Sequence, residues 1–350
     1  MKNKIIKEIV KNSKKLISFK TIKGNYDEFN NAFEYIKKEL KDYIIKEMIV
    51  DKYKNLIISN TSEKKLDIIF CGHIDVVPST SYNAEELDGK LYGRGSFDMK
   101  SQLSVIISLL KNNKSNKKIA FIITSDEEIG GNCCKQIMKN YDSKLAVIPD
   151  AGKNFALIVE EKGLLQLELK THGRTSHASE PYKGDNAILK LIKIYEDLLK
   201  KYPMPKNEKQ FLTSVNLSKI NGGNAVNMVP GEATMILDIR FTKKDSIEQI
   251  ISDIKDINDE VEINILDQGP VFNVDSKLPI IEDFTIKIEK ILNKSIDIKK
   301  CVATSDAIYF SEKNIPAILI NPIGDYWHAP NEYVEIESLY TLYEIFKTLL

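Results

Sequence analysis

The sequence predicts an α/β protein: a helix-covered sheet built from both ends of the chain, with an α+β unit of ferredoxin-like order set between them. Two observations carry this. Outside residues 164–272, amphipathic stretches alternate with short apolar runs, as in a sheet layered with helices. Inside that range the order becomes strand, helix, strand, strand, helix, strand. The expected domains are therefore 1–163 with 273–350, and an insert at 164–272.

Ile5, Ile6, Ile9, Val10 and Ile17 mark one face of a helix over 4–17, and a second helix is expected over 27–41. Residues 66–71, "LDIIFC", read as a buried strand because the run is short, apolar and rich in Ile and Phe. A helix follows from about Asp98 to Leu110, then a polar loop in the lysine- and asparagine-rich stretch 111–118. Strands are expected at "KIAFIIT" (118–124) and "LAVI" (145–148). In the insert, "LLQLELKTHG" alternates apolar and polar residues, the period of a half-exposed strand. "NAILKLIKIYEDLLKKY" and "DSIEQIISDIKDI" have helical spacing. "FLTSVNLSKING" and "GEATMILDIRFT" are strands joined through Gly222, Gly223, Pro230 and Gly231, and "EVEINILDQG" is the last strand. "DQGPVFNVDSKLP" marks the exit. A helix at 280–293, a strand at "AILI" (317–320) and a closing helix at 336–349 complete the first domain.

The chain has 350 residues, enough for about two domains with real cores. Apolar residues make up 43% and charged residues 29%, an ordinary soluble composition. Lys+Arg and Asp+Glu both number 50, which argues against a nucleic-acid footprint or a polybasic membrane contact. There is no run of about 18 apolar residues, and "MKNKIIKEIVKNSKKLISF" lacks the apolar stretch and small-residue cleavage site of a leader. Four cysteines do not make a disulfide scaffold in so long a chain, and a cytoplasmic location is expected.

In "GHIDVVP", His73 and Asp75 share a face if the strand before them continues. Such a pair suits a hydrogen-bonded histidine at a strand end, or a metal ligand with the carboxylate that orients it. Five other segments bear on the choice: "LYGRGSFDMK" with Asp98, "FIITSDEEIGG" with Glu127 and Glu128, "LAVIPDAG" with Asp150, "HGRTSHASEP" with His177, and "GDYWHAPNEYV" with His328. An acid after a strand is often a helix cap, and an acidic run is often a solvated turn. Here several strands each end in a hard or borderline ligand, and strand ends in open α/β sheets converge on one crevice. Histidines with carboxylates form the ligand set of zinc. Of adjacent glutamates, one can ligate while the other stays free as a base.

Taken in order, "GHIDVVP", "LYGRGSFDMK", "DEEIGG", "PDAG", "GRTSHASEPYKGDNAI", "NMVPGEATMILDIRF" and "HAPNEYV" resemble the zinc-dependent aminoacylase/carboxypeptidase-type metallopeptidases. That group includes glutamate carboxypeptidase, acetylornithine deacetylase, succinyl-diaminopimelate desuccinylase and several dipeptidases. The resemblance implies a zinc-peptidase-like catalytic domain with helices on both faces of a mixed sheet, and makes the ferredoxin-like insert a lid and dimerisation domain. It implies two zinc ions, with cobalt or manganese as possible occupants. His73 and Asp150 would hold one ion, Glu128 and His328 the other, and Asp98 would bridge them. Asp75 would orient His73, and Glu127 would be the general base and acid. His177 would bind the developing oxyanion, often across a homodimer interface, while Arg240 and Asn227 would face the substrate. Gly93 and Gly95 would let the chain turn tightly toward Asp98. His172 has no such role and reads as structural.

The implied reaction is amide hydrolysis on a small molecule or short peptide. In the family the Asp150 position is usually Glu in deacylases and carboxypeptidases, and more often Asp in aminopeptidases and dipeptidases. "CVATSDAIYF" also departs from the desuccinylase pattern: Val302 and Ala303 replace glycines, and Ile308 stands where an arginine would be. A dipeptidase or short-peptidase reading therefore leads, with N-acyl amino acid deacylation beside it. A non-catalytic binding module is the remaining alternative; such chains commonly lose a ligand or the base, and every such position here holds an acceptable residue.

Overall fold

The computed structural model describes every residue of the chain but Glu208. It divides into two compact units. The larger comprises Met1–Glu160, Val274–Cys301 and Ser305–Leu350, and the smaller Glu161–Asn273 with the tripeptide Val302–Thr304.

At the heart of the larger unit, strand Lys65–His73 lies parallel to Ile119–Thr124 on one side and to Asp142–Ile148 on the other. Ala317–Leu319 extends the parallel set beyond Asp142–Ile148. Tyr53–Ser59, Ile44–Val50 and Leu157–Glu161 join antiparallel, so the sheet is mixed. Ile119–Thr124 is buried at every position, as a strand covered on both faces must be. Neighbouring residues of Lys65–His73 show what covers each face. The Cys71 thiol lies 4.0 Å from that of Cys134 on helix Asn132–Met138. A Cβ on Gly72, pointing the other way, would come within 2.8 Å of Leu103 on helix Lys100–Asn112. That helix packs against Lys2–Ile17 and Ile336–Lys347 and is buried all round from Lys100 to Leu110. Ser101, Ser104 and Ser108 keep its surface small enough for close approach.

Three differences from the sequence reading matter here. The helix expected from Asp98 starts at Lys100, which leaves Asp98 in the turn before it. The strand carrying His73 stops there, so Asp75 lies beyond the pleat. A small antiparallel sheet was not anticipated: Gly324–Asp325, Tyr333–Glu335, Lys90–Tyr92 and Glu85–Leu87, in that order. Its strands are two or three residues long, too short for periodicity to show.

The smaller unit has one antiparallel sheet in the order Ser214–Gly222, Glu232–Phe241, Gly163–His172, Glu262–Gly269. Alternate residues Leu165, Leu167, Leu169, Met235, Leu237 and Ile239 point into a core shared with helices Ala187–Lys201 and Ile247–Ile257. Asn186 and Ser246 cap those helices, their side chains accepting from the first free N–H groups. The helices are pinned together by buried Asp253, which accepts hydrogen bonds from Tyr202, Lys201 and Gln249.

Burial pushes the Asp253 carboxyl up, but the bonds from Lys201, Tyr202 and Gln249 outweigh it and hold the group below its ordinary value. A depressed folded-state pKa stabilises above the unfolded value, and that stabilisation is lost as pH falls through the folded one. Asp253→Ala should therefore cost about 2–3 kcal/mol in urea denaturation at neutral pH. The gap from wild type should narrow as pH drops below about 4.

Candidate metal centre

Three parallel strands of the larger unit deliver side chains at their carboxyl ends. Lys65–His73 ends on His73, whose register partner is Thr124. Asp126, Glu127 and Glu128 follow Ile119–Thr124, and Asp150 follows Asp142–Ile148. The small sheet adds the rest: the turn after Lys90–Tyr92 carries Asp98, and the loop between Gly324–Asp325 and Tyr333–Glu335 carries His328.

Asp98 lies between two imidazoles. Its Oδ1 is 3.0 Å from His73 Nε2 and its Oδ2 is 3.3 Å from His328 Nε2. His328 Nε2 is also 2.9 Å from Glu128 Oε2, and His73 Nε2 is 3.9 Å from Asp150 Oδ2 and 4.0 Å from Glu127 Oε2. Ligand atoms around a tetrahedral zinc ion stand about 3.3–3.4 Å apart, given bonds of about 2.0–2.1 Å. Ligand atoms of His73, Asp98 and Glu128 all lie within 4.8 Å of one another, a group that could hold a metal ion, while Asp150, 3.9 Å from His73, stands farther off than the tetrahedral spacing. Asp75 reaches His73 by two routes, its main-chain oxygen 3.0 Å and its carboxylate 3.5 Å from Nδ1. Its other carboxylate oxygen accepts the Glu128 N–H at 2.9 Å. One buried acid thus steadies both a histidine and a glutamate of the cluster.

The electrostatics explain why cations belong here. Burial pushes Glu127 well above the carboxylate range, and the charges of Asp150, Asp306 and Asp98 add to it. Asp150 is pushed up to about 6 by burial and by Asp98. Burial would raise Asp98 too, but hydrogen bonds from His328 and His73 hold it low. Asp98 and Glu128 in turn lift His328 to about 10. Without a metal, protons must do the neutralising.

Two functional-site acids escaped the sequence reading. Glu332 is 1% exposed and accepts hydrogen bonds from Arg94, Gly95, Phe97 and Asp98. Asp306 is buried behind the cluster, where its carboxylate accepts from Thr124 Oγ1 at 3.0 Å. Each lies inside a quoted motif, Glu332 in "HAPNEYV" and Asp306 in "CVATSDAIYF", but the sequence reading assigns neither a role there. Of the two glycines expected to turn the chain, Gly95 has φ +85° and room for no side chain, since a Cβ would meet Lys100 and Val76 at 2.9 and 3.0 Å.

His177, Asn227 and Arg240 fall in the smaller unit. His177 bridges Met228, and the Ala178 N–H donates to the Asn227 carbonyl, so these two loops lie together. Arg240 pairs with Asp238 on its own strand at 2.7 Å and donates to Thr304 at 3.3 Å. His172 is a surface residue, 3.1 Å from Glu262.

The sequence model of peptidase family M20/M25/M40 matches residues 69–350. The chain belongs to this family. It is a metal-dependent hydrolase with M20 architecture. It is 30% identical over 360 residues to succinyl-diaminopimelate desuccinylase of Nautilia profundicola, covering 96% of this chain and 97% of that one. The protein of that name from Sulfurovum sp. is 26% identical over 356 residues, covering 95% of each. The crystal structure of aminopeptidase PepT from Bacillus cereus matches with a TM-score of 0.78 at 20% identity, over 98% of this chain and 97% of that one, a likeness of fold.

Asp75→Ala in this M20 chain should lower its affinity for zinc about 10–100-fold, because it removes the carboxylate beside His73 Nδ1 and the acceptor of the Glu128 N–H, although the main-chain oxygen of residue 75 still faces the ring. Zinc competition against a chromophoric chelator reads this directly.

Proposed function

We propose that the chain hydrolyses the amide bond of N-acyl amino acids, releasing the acyl group and the free amino acid. The observation that carries this reading is the end-to-end match to relatives named desuccinylases, which are deacylases. It reverses the order drawn from Asp150, which placed peptide substrates first. His73, Asp98 and Asp150 would hold one metal, and His328, Glu128 and Asp98 the other. Zinc suits this set of imidazoles and carboxylates, and cobalt or manganese could occupy it. A pair of such ions acidifies water and polarises the scissile carbonyl.

Glu127 is the general base and acid. Its carboxylate faces the cluster 4.0 Å from His73 Nε2, too far for a hydrogen bond, and so is free to accept a proton from the attacking water. It then returns that proton to the leaving amine. Asp75 keeps the His73 ring in place throughout. By the family resemblance, Arg240 of the smaller unit would take the carboxylate of the amino-acid half through its planar fork, Asn227 would orient the substrate, and His177 would donate to the carbonyl oxygen as it gains charge. Family pattern further suggests a homodimer paired through the smaller unit.

Peptide hydrolysis remains a second reading because Asp150 favours it. The acyl half is what separates the two, since a dipeptide is an N-aminoacyl amino acid. A buried Ile308 stands where the desuccinylase pattern has arginine, so no cation at that position awaits a second carboxylate.

The test is a panel of N-acetyl amino acids, N-succinyl amino acids and dipeptides with zinc-loaded protein, products read by mass spectrometry. N-acetyl substrates should be cleaved faster than N-succinyl ones, and Glu127→Ala should lose about 10²–10⁴-fold in kcat/KM. Cleavage of the dipeptides alone would overturn the deacylase reading in favour of the second.

A further inference from the structure

The carboxylate of Glu332 is saturated. Oε1 accepts the Phe97 N–H at 2.8 Å and the Asp98 N–H at 3.0 Å. Oε2 accepts the Gly95 N–H at 3.1 Å and Arg94 Nη1 at 2.6 Å. Four donors use the whole acceptor capacity of one carboxylate. Both Glu332 and Arg94 are buried, at 1% and 6% exposure, so the ion pair is largely shielded from water. The Glu332 main-chain oxygen adds a fifth bond, from Gly93 N–H at 3.1 Å, and the next two residues pair in register with Tyr92 and Leu91.

These bonds tie together two segments that each carry a ligand. One is the 93–98 turn, which ends on Asp98. The other is the loop that carries His328 four residues before Glu332. The grip on the Asp98 N–H fixes where that main chain stands, and hence where its carboxylate can reach.

We propose that Glu332 is the positioning residue that holds Asp98 between the two metal positions, and that it governs the second position, at His328 and Glu128, more than the first. His73 is anchored by its own strand and Asp150 by the strand before it, independently of Glu332. At the second position, Asp98 and His328 both depend on it. This rests on the two-metal reading of the centre but not on the choice of substrate.

The chemistry requires a carboxylate. A glutamine would turn an NH₂ group toward two N–H donors, and an aspartate would fall one methylene short. Metal-stripped wild type, Glu332→Gln and Glu332→Asp are titrated with Co²⁺ by calorimetry and by visible absorption, with folding followed by circular dichroism. Wild type should take two ions per chain. Both variants should keep the first site and weaken the second about 10–100-fold. A folded variant that binds two ions as wild type does, or that weakens both sites equally, overturns the proposal. If both variants fail to fold, Arg94→Lys decides: it keeps a cation beside the carboxylate but loses the guanidinium geometry. Selective weakening of the second ion in that variant supports the proposal, and wild-type binding overturns it. A wild type that takes one ion sinks the two-metal reading itself, and this inference with it. Two bound ions with no cleavage of any panel substrate would count against the substrate reading alone.

Discussion

Like charges crowd the floor of the larger unit, and most of its local architecture is an answer to their repulsion. Asp75, Asp98, Asp126, Glu127, Asp150 and Asp306 stand in or beside one crevice, several of them almost out of contact with water. Carboxylates in such a place cost free energy unless each finds a donor or a cation. The fold supplies donors one by one. Asp126 takes the N–H groups of Asn132 and Cys133 at the start of a helix. Asp75 takes that of Glu128, Asp150 that of Ala151, and Asp306 a hydroxyl from Thr124. Glu127 faces His73 without a hydrogen bond to it. That acid is the one proposed above as the base.

Much of this was legible in the sequence because chemistry-bearing residues interrupt apolar runs. His73 ends a buried strand, and Glu127, Glu128 and Asp150 come soon after the ends of two others, so the pattern that marks the strand also points at the candidate site. The ferredoxin-like order of the smaller unit was equally open to reading: its strands alternate and its helices repeat, because each element has one wet face. What stayed hidden depends on distant partners. Glu332 takes its meaning from the 94–98 turn, Arg94 standing 238 residues away, and Asp306 meets Thr124 across 182 residues. The hairpin of Ile44–Val50 and Tyr53–Ser59 escaped for another reason. "IIKEMIV" does not alternate cleanly, and its outer strand is mostly exposed, so neither periodicity nor burial announces it.

Local residues stop being informative at the choice of substrate. Asp150 weighs a single carbon in one side chain against the whole length of the molecule, and the end-to-end relatives outweigh it. Ile308 bears instead on which acyl group fits, a narrower question that a single position can bear on.

Glu128 and His328 meet across 200 residues of intervening chain. Closing a loop of that length carries an entropic cost that grows only slowly with length. The smaller unit lies within it, and its first and last strands are neighbours, with Leu164 in register with Gly269. Once that unit has folded, more than a hundred residues enter and leave at adjacent strands and count as a short step. Halving an effective loop recovers only about 0.6 kcal/mol of closure entropy, yet it acts before any contact at the centre has formed. The insert thus shortens the effective connection between the two ends of the candidate site, a small entropic help that comes from connectivity and not from contact.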